Sequence, residues 1–225
     1  MAAINCAELF GKHFSFWNHL TDSQRELLCR NTVAVSYGKG QNIHGASGEC
    51  TGPIFVKTGT LRAYMLSEEG REITLYRLYP GDICMLSASC VLKSITFDVF
   101  VDSEENSEAY LINPKIFSKL ADENVYVENF AMRTATERFS DVMWTMQQIL
   151  FMSFDKRLAV FLIDELSKTG GDTVNLTQDQ IAKYMGSARE VVSRMLKYFS
   201  SEKLVQVSRG GIKVLDRKRL QALTI

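Results

Sequence analysis

Val125, Asn129, Met132, Thr136, Phe139, Met143, Met146 and Leu150 succeed one another at spacings of 4, 3, 4, 3, 4, 3 and 4, with neither Gly nor Pro between them. Positions so spaced fall on one stripe only in an α-helix, and a stripe of this period is the seam of a helix pair. The spacing predicts one helix of about seven turns. Val142, Trp144, Ile149 and Phe151 widen its apolar surface, so one side can hold a neighbouring domain and another a second copy of the helix. A homodimer closed on Met132, Thr136, Phe139, Met143, Met146 and Leu150 is expected. The alternative is a helix packed only within its own domain.

The segment on the N-terminal side of this helix has a different period. Thr32–Tyr37 alternates around Val33 and Val35 before Gly38-Lys39-Gly40, Ile54-Phe55-Val56 is a buried-strand run, and Leu61–Leu66 comes after Thr58-Gly59. Ser67-Glu68-Glu69-Gly70 has turn chemistry, Ile73–Leu78 returns, Pro80-Gly81-Asp82 punctuates, and Thr96–Val101 alternates again. Short strands with glycine turns predict an antiparallel barrel or sandwich, here a jelly-roll-like β-roll.

On the C-terminal side of the helix lies a compact module. Ser153 is a candidate N-cap for a helix whose core face is Leu158, Phe161, Leu162, Ile163 and Leu166, ended by Thr169-Gly170-Gly171-Asp172. Thr177 and Gln180 have the spacing of a capping box opening a short helix that buries Ile181, Ala182 and Met185 and stops at Gly186. A second helix from about Ala188 to Ser200 buries Val191 or Val192, Met195, Leu196 and Phe199 and exposes Arg189, Glu190, Ser193, Arg194 and Lys197. Two short helices joined through glycine are a helix-turn-helix. Leu204–Val207 and Ile212–Leu215 flank Ser208-Arg209-Gly210-Gly211, a hairpin with a Gly-Gly turn that forms a wing. Arg189, Glu190, Ser193 and Arg194 share one helix face, and Arg and Glu are the side chains that read guanine and cytosine in a major groove. Thr177, Lys197, Lys203 and Arg209 are expected to meet the DNA backbone.

Charge and cysteine usage agree with this division. The 225-residue chain has no net formal charge, yet residues 1–150 carry 13 basic and 18 acidic side chains and residues 151–225 carry 13 and 8. A basic end on an acidic body points to a polyanion partner for that end, here double-stranded DNA. Cysteines at 6, 29, 50, 84 and 90 are odd in number and irregular in spacing, which argues against a secreted disulfide framework. No spacing typical of a structural zinc site occurs, and the three histidines all lie before residue 45, so no metal site is predicted. No run of 18 uncharged apolar residues exists, and Met1 to Lys12 lacks the apolar stretch of a secretory signal. A soluble, cytoplasmic protein without a membrane partner is expected.

The winged helix of Leu176–Leu215, the run Arg189-Glu190-Val191-Val192-Ser193-Arg194, the Pro80-Gly81-Asp82 turn and the strand Phe55-Val56-Lys57-Thr58-Gly59 together resemble the CRP/FNR family of transcription regulators over almost the whole chain. The resemblance implies an α+β chain: a cyclic-nucleotide-binding-like β-roll sensor over 1–122, a long dimerisation helix over 123–152 and a winged helix-turn-helix over 153–225. It further implies that Glu190 and Arg194 read the G·C core of a TGA-type half-site in a palindrome. Arg189 is similar to the extra arginine of the cyclic-AMP receptor branch, whereas Ser193 is similar to the oxygen-regulator branch, so the two specificity patterns are mixed. In such a regulator a signal in the roll shifts the helix pair and rotates the recognition helices, and an activator also meets RNA polymerase.

The chain departs from the family at the effector site. Ile83-Cys84-Met85-Leu86-Ser87-Ala88-Ser89-Cys90 lacks the Glu of the cyclic-nucleotide cassette and has no Arg, so cyclic AMP is not expected. Cys6 alone precedes Cys29, so an N-terminal four-cysteine iron–sulfur cluster is not expected either. Two effector classes remain: thiol chemistry at Cys84 and Cys90, or a small apolar ligand lined by Met85, Leu86, Phe139 and Met143. Buried core packing explains the same residues. A competing function is a small-molecule-binding β-roll module or a cupin-like enzyme with a helical appendage. That roll offers only His44 toward the His and Glu ligands a cupin needs, so no catalytic residue is assigned.

Overall fold

The structure is a computed structural model that describes residues 6–45, 50–88 and 98–224, with Cys6 and Ala7 as backbone. The chain forms two compact units, Met1–Leu66 with Leu75–Val142 and Ser67–Thr74 with Met143–Ile225.

The first unit is built on two four-stranded sheets. Strands β1 (Thr32–Tyr37), β2 (Asn42–His44), β3 (Ile54–Thr58), β4 (Leu61–Leu66), β5 (Glu72–Leu78), β6 (Ile83–Cys84), β7 (Phe100–Ser103) and β8 (Ser107–Ile112) assemble in the orders β1-β8-β3-β6 and β2-β7-β4-β5. Alternation does the sorting: Ile54, Val56, Leu61, Ala63, Val101 and Ala109 point into one shared core between the sheets. This is the antiparallel roll expected from the strand pattern. Of the stretch expected to alternate, Thr96–Val101, Phe100 and Val101 lie in strand and Asp98 and Val99 precede it, and residues 89–97 lie outside the described residues.

A second core lies on the outer face of the β1-β8-β3-β6 sheet. Helices α1 (Cys6–His13) and α2 (Asp22–Arg30) bring Phe10 and Leu28, the segment between them, which includes a 3-10 turn at Trp17–His19, adds Phe14, Phe16 and Trp17, and Phe55 and Ile112 face them from the sheet. Helix α3 (Pro114–Glu123) begins where Asn113 accepts from the amides of Lys115 and Ile116, with Pro114 fixing the first turn, and contributes Phe117 and Leu120.

Helix α4 runs from Val125 to Phe151 without a break, 27 residues. Its inner stripe, Val127, Ala131 and Thr134, is buried in the first unit. All eight seam positions from Val125 to Leu150 face solvent.

In the second unit, helix α5 (Phe154–Thr169) comes after Ser153. Ser153 stands at the N-cap, but its hydroxyl does not cap the helix; it hydrogen-bonds the Asp155 carboxylate instead, which lowers the Asp155 pKa. Strand β9 (Thr173–Val174), helix α6 (Gln178–Met185), helix α7 (Arg189–Ser201), strands β10 (Val205–Ser208) and β11 (Gly211–Val214), and helix α8 (Arg217–Ala222) complete the module.

Candidate nucleic-acid interface

Local chemistry fixes where the helices of the module start and stop. The Thr177 hydroxyl accepts from the Gln180 amide at 3.2 Å, and the Gln180 side chain returns to accept from the Thr177 amide at 2.9 Å. This reciprocal cap begins α6. Gly186 ends it in the left-handed region at φ 58°, and its amide reaches the Ala182 and Lys183 carbonyls. The Arg157 guanidinium of α5 donates to the Met185 carbonyl, one of the acceptors a helix C-terminus leaves open.

Packing then decides which face of α7 looks outward. Val192, Leu196 and Phe199 are fully buried against Leu158, Leu162, Ile181, Met185 and Ile212. Each is worth about 1.5–3 kcal/mol of burial, so turning the helix to hide its polar face would forfeit several kcal/mol. Val192, not Val191, is the core residue of the pair. Arg189, Glu190 and Arg194 are consequently exposed along one side of the helix with Ser193 half-buried between them, and Lys197 lies exposed one turn on.

The wing differs from expectation in two details. Ser208 pairs with Gly211, so the two-residue turn is Arg209-Gly210 and Gly211 opens the returning strand. A Cβ on Gly211 would lie 2.6 Å from the Val174 carbonyl, because β9 pairs antiparallel with β11 and makes a three-stranded sheet in the order β10-β11-β9. Arg209 stands exposed at the tip. Lys203 is exposed with φ 58°, a left-handed turn taken by a non-glycine residue between α7 and β10. Thr177 is exposed too, but its hydroxyl donates to Gln180 Oε1 at 3.1 Å and its amide to the same oxygen at 2.9 Å, so both of its donors are engaged within the cap.

The effector candidates fall in different surroundings. Cys84, at the end of β6, and Leu86, in the turn after it, belong to the core between the sheets, and Met85 to the core on the outer face. Phe139 and Met143 are 62% and 44% exposed on the seam of α4. Cys90 lies outside the described residues. Cys84 is a free, buried thiol, whereas Cys29 and Cys50 are each disulfide-bonded, which the irregular cysteine spacing did not lead us to expect.

One constellation was missed from sequence. Arg138 of α4 sits between Asp82 (3.3 Å) and Asp141 (3.1 Å), 5.0 Å above the ring of Tyr76, whose hydroxyl is 3.8 Å from the Cys84 sulfur. Burial opposes the Arg138 charge, but the Asp141 hydrogen bond and the Asp82 carboxylate outweigh it and raise the pKa. Burial likewise pushes the Tyr76 phenol well above its ordinary value. The i,i+3 spacing of Arg138 and Asp141 was visible in the sequence; the approach of Asp82, 56 positions earlier, was not.

Among the described residues no three His, Cys, Asp or Glu side chains gather as a metal site, and no helix is long and apolar enough to cross a membrane.

Comparison with known proteins converges on one class. Residues 156–223 match the Crp-like helix-turn-helix domain. A crystal structure assigned to the CRP/FNR family, from Eubacterium rectale, is 44% identical, with a TM-score of 0.90 over 95% of this chain and 99% of that one. The fumarate and nitrate reduction regulatory protein of Vibrio cholerae is 26% identical over 82% of this chain and 76% of its own length. The regulatory protein HlyX of Actinobacillus pleuropneumoniae is 25% identical over 83% and 78%. These relatives are regulators rather than enzymes.

Proposed function

The chain belongs to the CRP/FNR family of transcriptional regulators, and on that premise we propose that it acts as a homodimer on a palindrome of TGA-type half-sites, under an effector other than cyclic AMP. The observation that carries the reading is the outward face of α7. Its apolar side is locked in the core, which leaves Arg189, Glu190, Ser193 and Arg194 as a polar strip of the width a major groove admits. Glu190 accepts from cytosine N4 and Arg194 donates to guanine O6 and N7, while Lys197, Lys203 and Arg209 hold phosphates.

Half-sites about one helical turn apart need a two-fold partner. The exposed seam of α4 supports that partner being a second copy, because Met132, Phe139, Met143, Met146 and Leu150 are each more than a third exposed. The effector reading is supported by the environment of Asp82. The guanidinium beside it already serves two carboxylates and so is not free to clamp a cyclic phosphate.

Fluorescence anisotropy at fixed salt, with and without reductant, tests the function. A TTGA–N6–TCAA palindrome should bind more tightly than a scrambled duplex. Equal binding to both at every protein concentration would refute sequence-specific reading. A change in operator affinity with reductant would assign the signal to thiol chemistry, and none would leave the small-ligand class.

A further inference from the structure

Arg189 occupies an awkward position. It is the first residue of α7, and the N-cap Ala188 offers no side-chain acceptor. The amides of that first turn therefore present positive potential to a cation that belongs, on electrostatic grounds, at the other end of a helix. Asp179 answers it from the neighbouring helix. Asp179 is the acid of the first turn of α6, and its Oδ2 lies 3.7 Å from Nη1 of Arg189 across the corner of the helix-turn-helix. Both side chains are exposed, at 63% and 62%. The adjacent Gln180 is committed to the Thr177 cap instead.

We propose that Asp179 is a positioning residue for base reading: it holds the Arg189 guanidinium by one nitrogen and so fixes which base pair the remaining donors address. The inference rests on the DNA-reading function proposed above. A guanidinium has five N–H donors in a rigid plane. One edge facing a carboxylate leaves another for the paired acceptors of guanine, and the ion pair biases the plane before DNA arrives. Because an exposed ion pair contributes modestly to affinity, the effect falls on selectivity at one position rather than on binding as a whole. The sequence carries acid toward a phosphate-rich ligand, which costs electrostatic attraction; orientation of Arg189 is what that acid supplies in return.

The test uses the full chain and a set of palindromic duplexes in which each base pair of the half-site is replaced in turn, read by anisotropy at one salt concentration. Arg189→Ala should flatten discrimination at a single base pair. Asp179→Asn should reduce discrimination about 3- to 5-fold at that same pair and leave the others unchanged, and Asp179→Glu should restore it. The double variant should discriminate no worse than Arg189→Ala alone, since the two residues act through one contact. Tighter binding of Asp179→Asn to operator, substituted sites and random DNA alike would overturn the proposal, because it would make Asp179 a simple repeller of phosphate. An unchanged profile for Asp179→Asn beside a selective wild type would overturn this inference alone. A wild type with no base preference in any duplex would overturn the function and the inference together.

Discussion

Truncating Phe139 to alanine should weaken self-association about a thousand-fold. An aromatic side chain buries on the order of 200 Å² when fully enclosed, and Phe139 is 62% exposed in the single chain. Roughly 120 Å² of it is therefore left for a partner to cover, worth about 3 kcal/mol at ~25 cal/mol per Å². Alanine keeps its Cβ in the seam, so about 2 kcal/mol is lost per copy. A two-fold interface counts the residue twice, giving about 4 kcal/mol, or roughly three orders of magnitude in the dimer Kd. Sedimentation velocity over a wide concentration series reads this directly. Glu137→Ala, an exposed neighbour off the seam, should leave association unchanged and controls for helix perturbation. A Phe139→Ala protein that dimerises over the same range as wild type and Glu137→Ala would refute the seam. The same variant should also bind a half-site duplex and a palindrome with similar affinity, since its two recognition helices are no longer joined.

Other outcomes are set by the site and the core. Arg194→Ala should weaken operator binding by about 1–3 kcal/mol and relax discrimination at its guanine; equal losses on operator and random DNA in the anisotropy assay would contradict a base-reading role. Lys197→Ala should weaken both duplexes alike and reduce the slope of log affinity against log salt by about one contact, a result that titrations at several salt concentrations would expose as wrong if the loss were confined to operator. Ser153→Ala should lower stability at neutral pH, because the Ser153 hydrogen bond depresses the Asp155 pKa in the folded chain. A depressed carboxylate stabilises above its unfolded pKa of about 4 and loses that contribution as pH falls through the folded value, so denaturant midpoints of variant and wild type should converge in acid.

Much of this architecture was legible because its signals are local. The Thr177–Gln180 cap, Gly186 and the Ser208–Gly211 hairpin each lie within a few residues, and the α4 seam is a repeat that needs no partner to be seen. What escaped depends on distant segments. Strand β9 exists as two residues because Val174 meets Ile212, and nothing in Thr173-Val174 announces a strand. The surroundings of the effector candidates depend on such distant packing as well: Met85 belongs to the core on the outer face and Leu86 to the core between the sheets. The disulfides of Cys29 and Cys50 were missed because spacing does not determine pairing. The phenylalanines before residue 20 carried no period that tied them to the sheet they cover.

The chemistry of the seam has a mechanical consequence. Three of its positions, Met132, Met143 and Met146, carry unbranched thioethers around the single ring of Phe139. A thioether side chain turns about three bonds and fills irregular gaps at little cost, so it specifies one packing poorly. Asn129 and Thr136 are the polar positions of the seam, of the kind that sets register in a helix pair. In the homodimer proposed above, a helix pair zipped on such a surface would be a soft bearing: it would keep two copies together while letting them turn against each other, with most of the resistance concentrated at two polar rungs.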